Sequence, residues 1–202
     1  TSMQSVKDKP GVPEIIGDLP EGSAGILFEF GFDDNEVMLE FRSEFGDITE
    51  KMNLYSEPVI ADTGKEKADI WQVRKGLLAS LGAMRKPGST LIIEDTCFRI
   101  EDIPDAIEAL QSLFEKHGYE NAGIYGHGMD GNLHFIFSQD FSTQQAVDKY
   151  AEFMNDLAEI VIDRFDGSLK AEHGTGRNMA PFVEREWGGE AYEIMKQIGR
   201  AS

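Results

Sequence analysis

Residues 121–138 read NAGIYGHGMDGNLHFIFS, and the fold turns on this stretch. Two β-prone runs, 121–126 and 132–138, flank a short glycine-containing turn, which is the pattern of a β-hairpin. With the turn at Gly128–Gly131, His127 faces Asn132 and Tyr125 faces His134 across the ladder. Side chains alternate along a strand, so His127, Asn132 and His134 share one face of the sheet. A register slip of one residue would send them all to the other face.

Downstream of the hairpin, the spacing of Val147, Tyr150, Met154, Leu157, Val161 and Phe165 predicts a helix over 143–165. Upstream, Lys86-Pro87-Gly88 breaks the chain before a strand at 90–98. Ile103, Ile107, Leu110 and Phe114 then form the stripe of a helix that begins near Pro104 and ends at Gly118. Earlier still, SAGILFEFGF at 23–32 reads as a strand closed by Asp33 and Asp34, candidate caps for a helix over 34–48 carrying Val37, Met38, Phe41 and Phe45. A strand over 55–61 follows, then a helix over 64–84 with Trp71, Leu77, Leu78 and Leu81. A last amphipathic helix starts near 181, and the chain stops inside its pattern, as a fragment of something longer would. Residues 1–22, with Pro10, Gly11, Pro13, Pro20 and Gly22, read as an extended lead-in. The order predicts an α+β domain over 23–202, with helices covering a mainly antiparallel sheet built as two ferredoxin-like halves. No GxGxxG or Walker motif follows a strand, so the chain has no nucleotide cradle of its own.

With 202 residues, 41% of them hydrophobic and 13 of them Phe, there is apolar material for one sizeable core or two small ones. Mean hydropathy is −0.34, and no apolar run approaches the roughly 18 residues of a membrane span. The opening TSMQSVKDKP lacks the apolar stretch of a signal peptide. The single cysteine, Cys97, forms no internal disulfide, fits a cytoplasmic setting and reads as a core thiol. A net charge of −18 argues against nucleic acid as a partner. Binding a small anionic acid then requires a local concentration of Arg, His or metal.

The chemistry-bearing residues fall in two glycine-flanked clusters. GHGMDGNLH at 126–134 supplies His127, Asp130, Asn132 and His134, and AEHGTGR at 171–177 supplies Glu172 and His173 on a loop between helices. Two imidazoles and a carboxylate suit zinc or another borderline divalent metal, and three protein ligands leave positions open for catalysis. The same histidines also fit a plain role in turns, bonded to nearby backbone. His117 fits that role best, at a helix end where a cationic side chain suits the dipole. Trp71 and Arg74 share a helix face. Arg74 either holds a carboxylate with its planar fork or is an ordinary surface arginine. Lys86 and Arg99 are weaker candidates for anion binding.

These segments resemble a known family. GHGMDGNLH is similar to the GHxGDGNxH segment, and AEHGTGR to the EHGxG segment, of the C-terminal domain of FAD-linked oxidases. That group includes D-lactate dehydrogenase, D-2-hydroxyglutarate dehydrogenase and the flavin subunit of glycolate oxidase. The W-x-x-R at Trp71–Arg74, the run IIEDTCFRIEDIPD at 92–105 and the order of elements also look like that family, over about residues 20–200.

The resemblance implies a two-domain flavoenzyme: an N-terminal domain, absent from this chain, that binds FAD, and this truncated cap domain, which carries the site for a small D-2-hydroxy acid. It implies His127, His134 and Glu172 as ligands of a divalent metal, Zn or Mn. His173 would be the catalytic base, Asn132 a substrate contact and Arg74 a ligand of the substrate carboxylate. The IEDT segment looks more like large dehydrogenases that also carry an iron–sulphur electron-acceptor region, which would link a cytoplasmic protein to a membrane through its electron-transfer partner. Met129 stands where the family has a glycine, which bears on how the loop runs and how wide the pocket is. The rival readings are the cap of a metal-independent flavin oxidase, a non-catalytic α+β ligand-binding module, and, least of all, a stand-alone metallohydrolase.

Overall fold

The computed structural model describes residues 15–20, 22–83, 85–120 and 122–201. Its elements are α1 (Ile15–Asp18), α2 (Asn35–Thr49), α3 (Gly64–Ala83), β1 (Thr90–Cys97), α4 (Ile103–Lys116), β2 (Gly123–His127), β3 (Asn132–Gln139), α5 (Gln144–Ala158), α6 (Gly176–Met179) and α7 (Val183–Ala201). The chain divides into two compact units, one ending at Leu77 and the other running from Leu78 onward.

The second unit is built on a three-stranded antiparallel sheet of order β1-β3-β2. The hairpin register is the one its sequence predicts, with Tyr125 opposite His134 and His127 opposite Asn132. On the other side of β3, Asp95 stands opposite His134 and Cys97 opposite Asn132. All residues from Asn132 to Phe137 are buried, as suits a central strand. One face of the sheet meets α4 and α5. Phe153 of α5 packs at 4.9 Å from Phe137 and stacks on Phe114 of α4 at 5.6 Å. Each such ring is worth about 1.5–3 kcal/mol in removal from water, so this cluster is what holds the helices on the sheet. Thr143 caps α5 by accepting the Ala146 N–H.

The long helix expected over 143–165 is α-helical only to Ala158, after which Glu159–Arg164 widen into a π-helix. The widening keeps Val161 and Phe165 buried, and the chain then turns through Asp166 at a positive φ of 50°. An antiparallel bridge between Cys97 and Ser168 brings it alongside the outer edge of β1. The final helix starts at Val183 and is interrupted at Gly188.

The first unit departs from expectation. The predicted strands over 23–32 and 55–61 do not form, and the described residues up to Leu77 contain no strand. Residues 23–32 have no regular structure, yet Phe28, Phe30 and Phe32 all meet one helix. Phe28 lies 5.8 Å from Phe45, while Phe30 and Phe32 lie 4.4 and 5.2 Å from Phe41, both on α2. Alternation sets which way side chains point, but a strand also needs a second backbone to bond with. Among the described residues there is therefore one small three-stranded sheet, and the two expected ferredoxin-like halves are not seen. The α+β class, with a mainly antiparallel sheet, stands.

Asp34 is the N-cap of α2, accepting the Glu36 N–H at 2.7 Å. Within the expected lead-in, Ile15–Asp18 make a helical turn rather than extended chain, and Pro10, Gly11 and Pro13 lie outside the described residues. So do the side chains of Leu77, Leu78 and Leu81.

Candidate functional site

His134 rises from the middle of the central strand, and His127 ends the neighbouring one. Their rings meet edge to face with centroids 5.3 Å apart. The loop after Ser168 returns Glu172 to them: its Oε1 lies 3.0 Å from His134 Nε2 and 3.3 Å from His127 Nε2. Donor atoms bound at about 2.0–2.2 Å to one tetrahedral ion stand about 3.4 Å apart, close to both of these distances, and all three donor atoms lie within 4.8 Å of one another. Burial, and then the neighbouring His173, push the His134 imidazole toward its neutral form, the form with a free lone pair. The donor set and its spacing fit a divalent metal. Asn132 is buried, and its Oδ1 has no hydrogen-bond partner among the described residues.

His173 stacks on His134 with ring centroids 4.7 Å apart. Its Nδ1 is 3.5 Å from Asp95 Oδ1, and its Nε2 is 3.9 Å from Glu172 Oε1. Asp95 is fully buried in β1. Its Oδ2 accepts the backbone N–H groups of Ala171, Glu172 and His173 at 2.9, 2.7 and 3.3 Å. Burial pushes this carboxyl up, but the three N–H donors and Lys170 outweigh it and hold it below the usual carboxylate range.

Lys170 also pairs with the adjacent buried Glu94, whose other oxygen accepts from Asn178 Nδ2 at 2.5 Å. The loop is anchored before this point as well. Ser168 Oγ donates to Glu186 Oε1 at 2.6 Å, and Leu169 is buried in the core.

The structure thus gathers His127, Asn132, His134, Glu172 and His173 in one unit. Arg74 lies on α3 in the first unit and is partly buried. Arg99 is tied to Asp166 at 2.9 Å, and Lys86 is exposed. Met129 is 81% exposed on the hairpin turn. Asp130 is also exposed, and its backbone oxygen accepts from Cys97 Sγ at 3.6 Å. Cys97 itself is only partly buried. His117 sits at the C-terminus of α4, buried, 2.6 Å from Asp156 Oδ2. Sequence reasoning passed over Glu94, Asp95 and Lys170. The signal was there in TLIIEDTC, where two adjacent acids interrupt an apolar strand and call for buried partners.

These features define an α+β domain with a histidine–carboxylate site fed by the centre of a sheet and one returning loop. The chain belongs to the family described as FAD linked oxidases, C-terminal domain, whose family model matches residues 1–201.

Among curated proteins it is similar to the mitochondrial D-lactate dehydrogenase [cytochrome] of Arabidopsis thaliana, 27% identical over 71% of this chain and 25% of that protein. It is similar to glycolate oxidase subunit GlcD of Bacillus subtilis (strain 168), 26% identical over 70% of this chain and 29% of that protein. It is also 27% identical to the D-2-hydroxyglutarate dehydrogenase of Xanthomonas citri pv. viticola, over 71% of this chain and 30% of that one. The matches thus span 25–30% of the length of these relatives. Among the described residues no helix is long and apolar enough to cross a membrane.

Proposed function

We propose that this chain is the substrate-binding domain of a flavin-dependent oxidoreductase that converts a small D-2-hydroxy acid to the 2-oxo acid. The observation that carries the reading is the approach of His134 Nε2 and His127 Nε2 to the one oxygen Glu172 Oε1, at 3.0 and 3.3 Å. Lactate, glycolate and 2-hydroxyglutarate, the acids these relatives are named for, share one unit: a hydroxyl beside a carboxylate.

In this reading His127, His134 and Glu172 hold zinc or manganese. A divalent ion bound there would supply Lewis acidity toward the substrate's oxygens and lower the hydroxyl pKa. His173 takes the hydroxyl proton, with its ring held against His134 and its Nδ1 side turned to Asp95. Asn132 offers its buried amide to the substrate. The alcohol loses that proton and the C2 hydride, leaving the carbonyl. Flavin, held by a companion domain of the longer protein, supplies the acceptor for the two electrons.

The test is His173→Ala in the intact protein. Flavin reduction by the three hydroxy acids should fall by about 10²–10⁴-fold, with metal content by elemental analysis unchanged. Loss of metal combined with wild-type reduction rates would sink the assignment.

A further inference from the structure

Glu172 and His173 sit on a poor support for precise chemistry. Residues 171–177 are all exposed, and 171–175 have no regular structure. Such a segment ordinarily samples many conformations, and fixing each residue costs about 1–2 kcal/mol of entropy. Asp95 is its opposite. It stands fully buried in β1, directly across the ladder from His134 on the central strand.

Three consecutive backbone N–H groups converging on one oxygen form a concavity of the kind that normally captures an anion. Here a resident carboxylate fills it. One side chain of the sheet therefore grips the backbone of both Glu172 and His173, and its second oxygen reaches the His173 ring at 3.5 Å.

Asp95 also forms, with His134 and His173, a second trio of donor atoms within 4.8 Å of one another. Its bonding argues against use as a metal ligand. Oδ2 already serves three N–H donors, and Oδ1 lies 3.4 Å from the Lys170 ammonium, a charge that repels a divalent cation.

We propose that Asp95 is the positioning residue of the site, holding the 171–173 backbone so that the Glu172 carboxylate meets His127 and His134 while His173 stays stacked on His134. The role in metal binding rests on the proposed function. The ordering of the loop does not.

The experiment is hydrogen exchange at single-amide resolution together with Zn²⁺ titration, on the intact protein and on its Asp95→Ala and Asp95→Asn variants. In the wild type, the amides of Ala171, Glu172 and His173 should exchange at least about tenfold more slowly than those of Gly174 and Thr175. Equal rates overturn the proposal without recourse to any variant. Asp95→Ala should lose that protection while amides of β3 keep theirs, and Zn²⁺ should bind about 10–100-fold more weakly. Asp95→Asn keeps an acceptor oxygen and should recover most of both. Unchanged Zn²⁺ affinity with lost protection, or unchanged protection in Asp95→Ala, overturns the positioning role. A wild type that binds no Zn²⁺, yet shows amide protection that Asp95→Ala removes, overturns the metal reading and supports the clamp.

Discussion

The imidazole of His134 and the carboxylate of Glu172 meet at 3.0 Å, the first buried in the central strand and the second half-exposed on a loop. Their supports differ, and so should the effects of removing them. His134→Ala should abolish Zn²⁺ or Mn²⁺ binding in a titration, a larger change than the roughly 10–100-fold typical of losing an outer-shell partner. Glu172→Gln keeps the shape but not the charge and should weaken binding without destabilising the fold. Equal metal affinity in wild type and His134→Ala would remove the ligand set from consideration.

Lys170 is the cation between two neighbouring buried carboxylates, Glu94 and Asp95. Replacing it with methionine leaves both without their charge partner. Breaking a buried pair in this way costs about 3–5 kcal/mol, which urea unfolding would register. A loss below about 1 kcal/mol, the worth of a surface pair, would mean that Asn178 and the loop amides satisfy the carboxylates unaided.

Asp156 ties α5 to α4. Hydrogen bonds from Lys116 and then His117 hold its carboxyl below the ordinary range. A depressed value means the unfolded chain takes up the proton more readily than the native one. The contribution is therefore fully present above the unfolded value of about 3.9 and fades as pH falls through the lower folded value. Asp156→Asn should be less stable than wild type by about 1–2 kcal/mol near neutral pH. The two unfolding curves should converge in strong acid, and a gap that persists there would show that the carboxylate charge is not its source.

Gly131 closes the hairpin at φ 66°, and a Cβ there would lie 1.9 Å from the Phe98 carbonyl oxygen. Gly131→Ala should cost more than the ~1–2 kcal/mol of left-handed strain alone, because backbone must also move. It should weaken metal binding too, by disturbing the His127–His134 register. Gly128 has open space and no positive φ, so Gly128→Ala should leave thermal unfolding nearly unchanged. Similar behaviour of the two variants would refute this account of the turn.

Much of the site could be read from local rules. The period of two placed His127, Asn132 and His134 on one face, and Asp34 announced the start of α2. What stayed hidden were relations between distant segments. Alternation in SAGILFEFGF told which rings share a side, but not that they would lie on Phe41 and Phe45 instead of joining a sheet. The pair Glu94-Asp95 marked buried charge, yet nothing local says that the chain returns past Ser168 to supply Lys170 and three amides. Glu172 and His173 stand out in the sequence as a glycine-flanked cluster, but a loop residue has no period to betray its direction, so their meeting with His134 is not legible there.

β3 is flanked on both sides, whereas β2 pairs on one side only. His127 is the last residue of that outer strand and is 44% exposed at its side chain, against 3% for His134. Strand ends fray before centres do. The two imidazoles therefore differ in their hold: His127 stands where fraying and water reach first, and His134 where the sheet is paired on both sides.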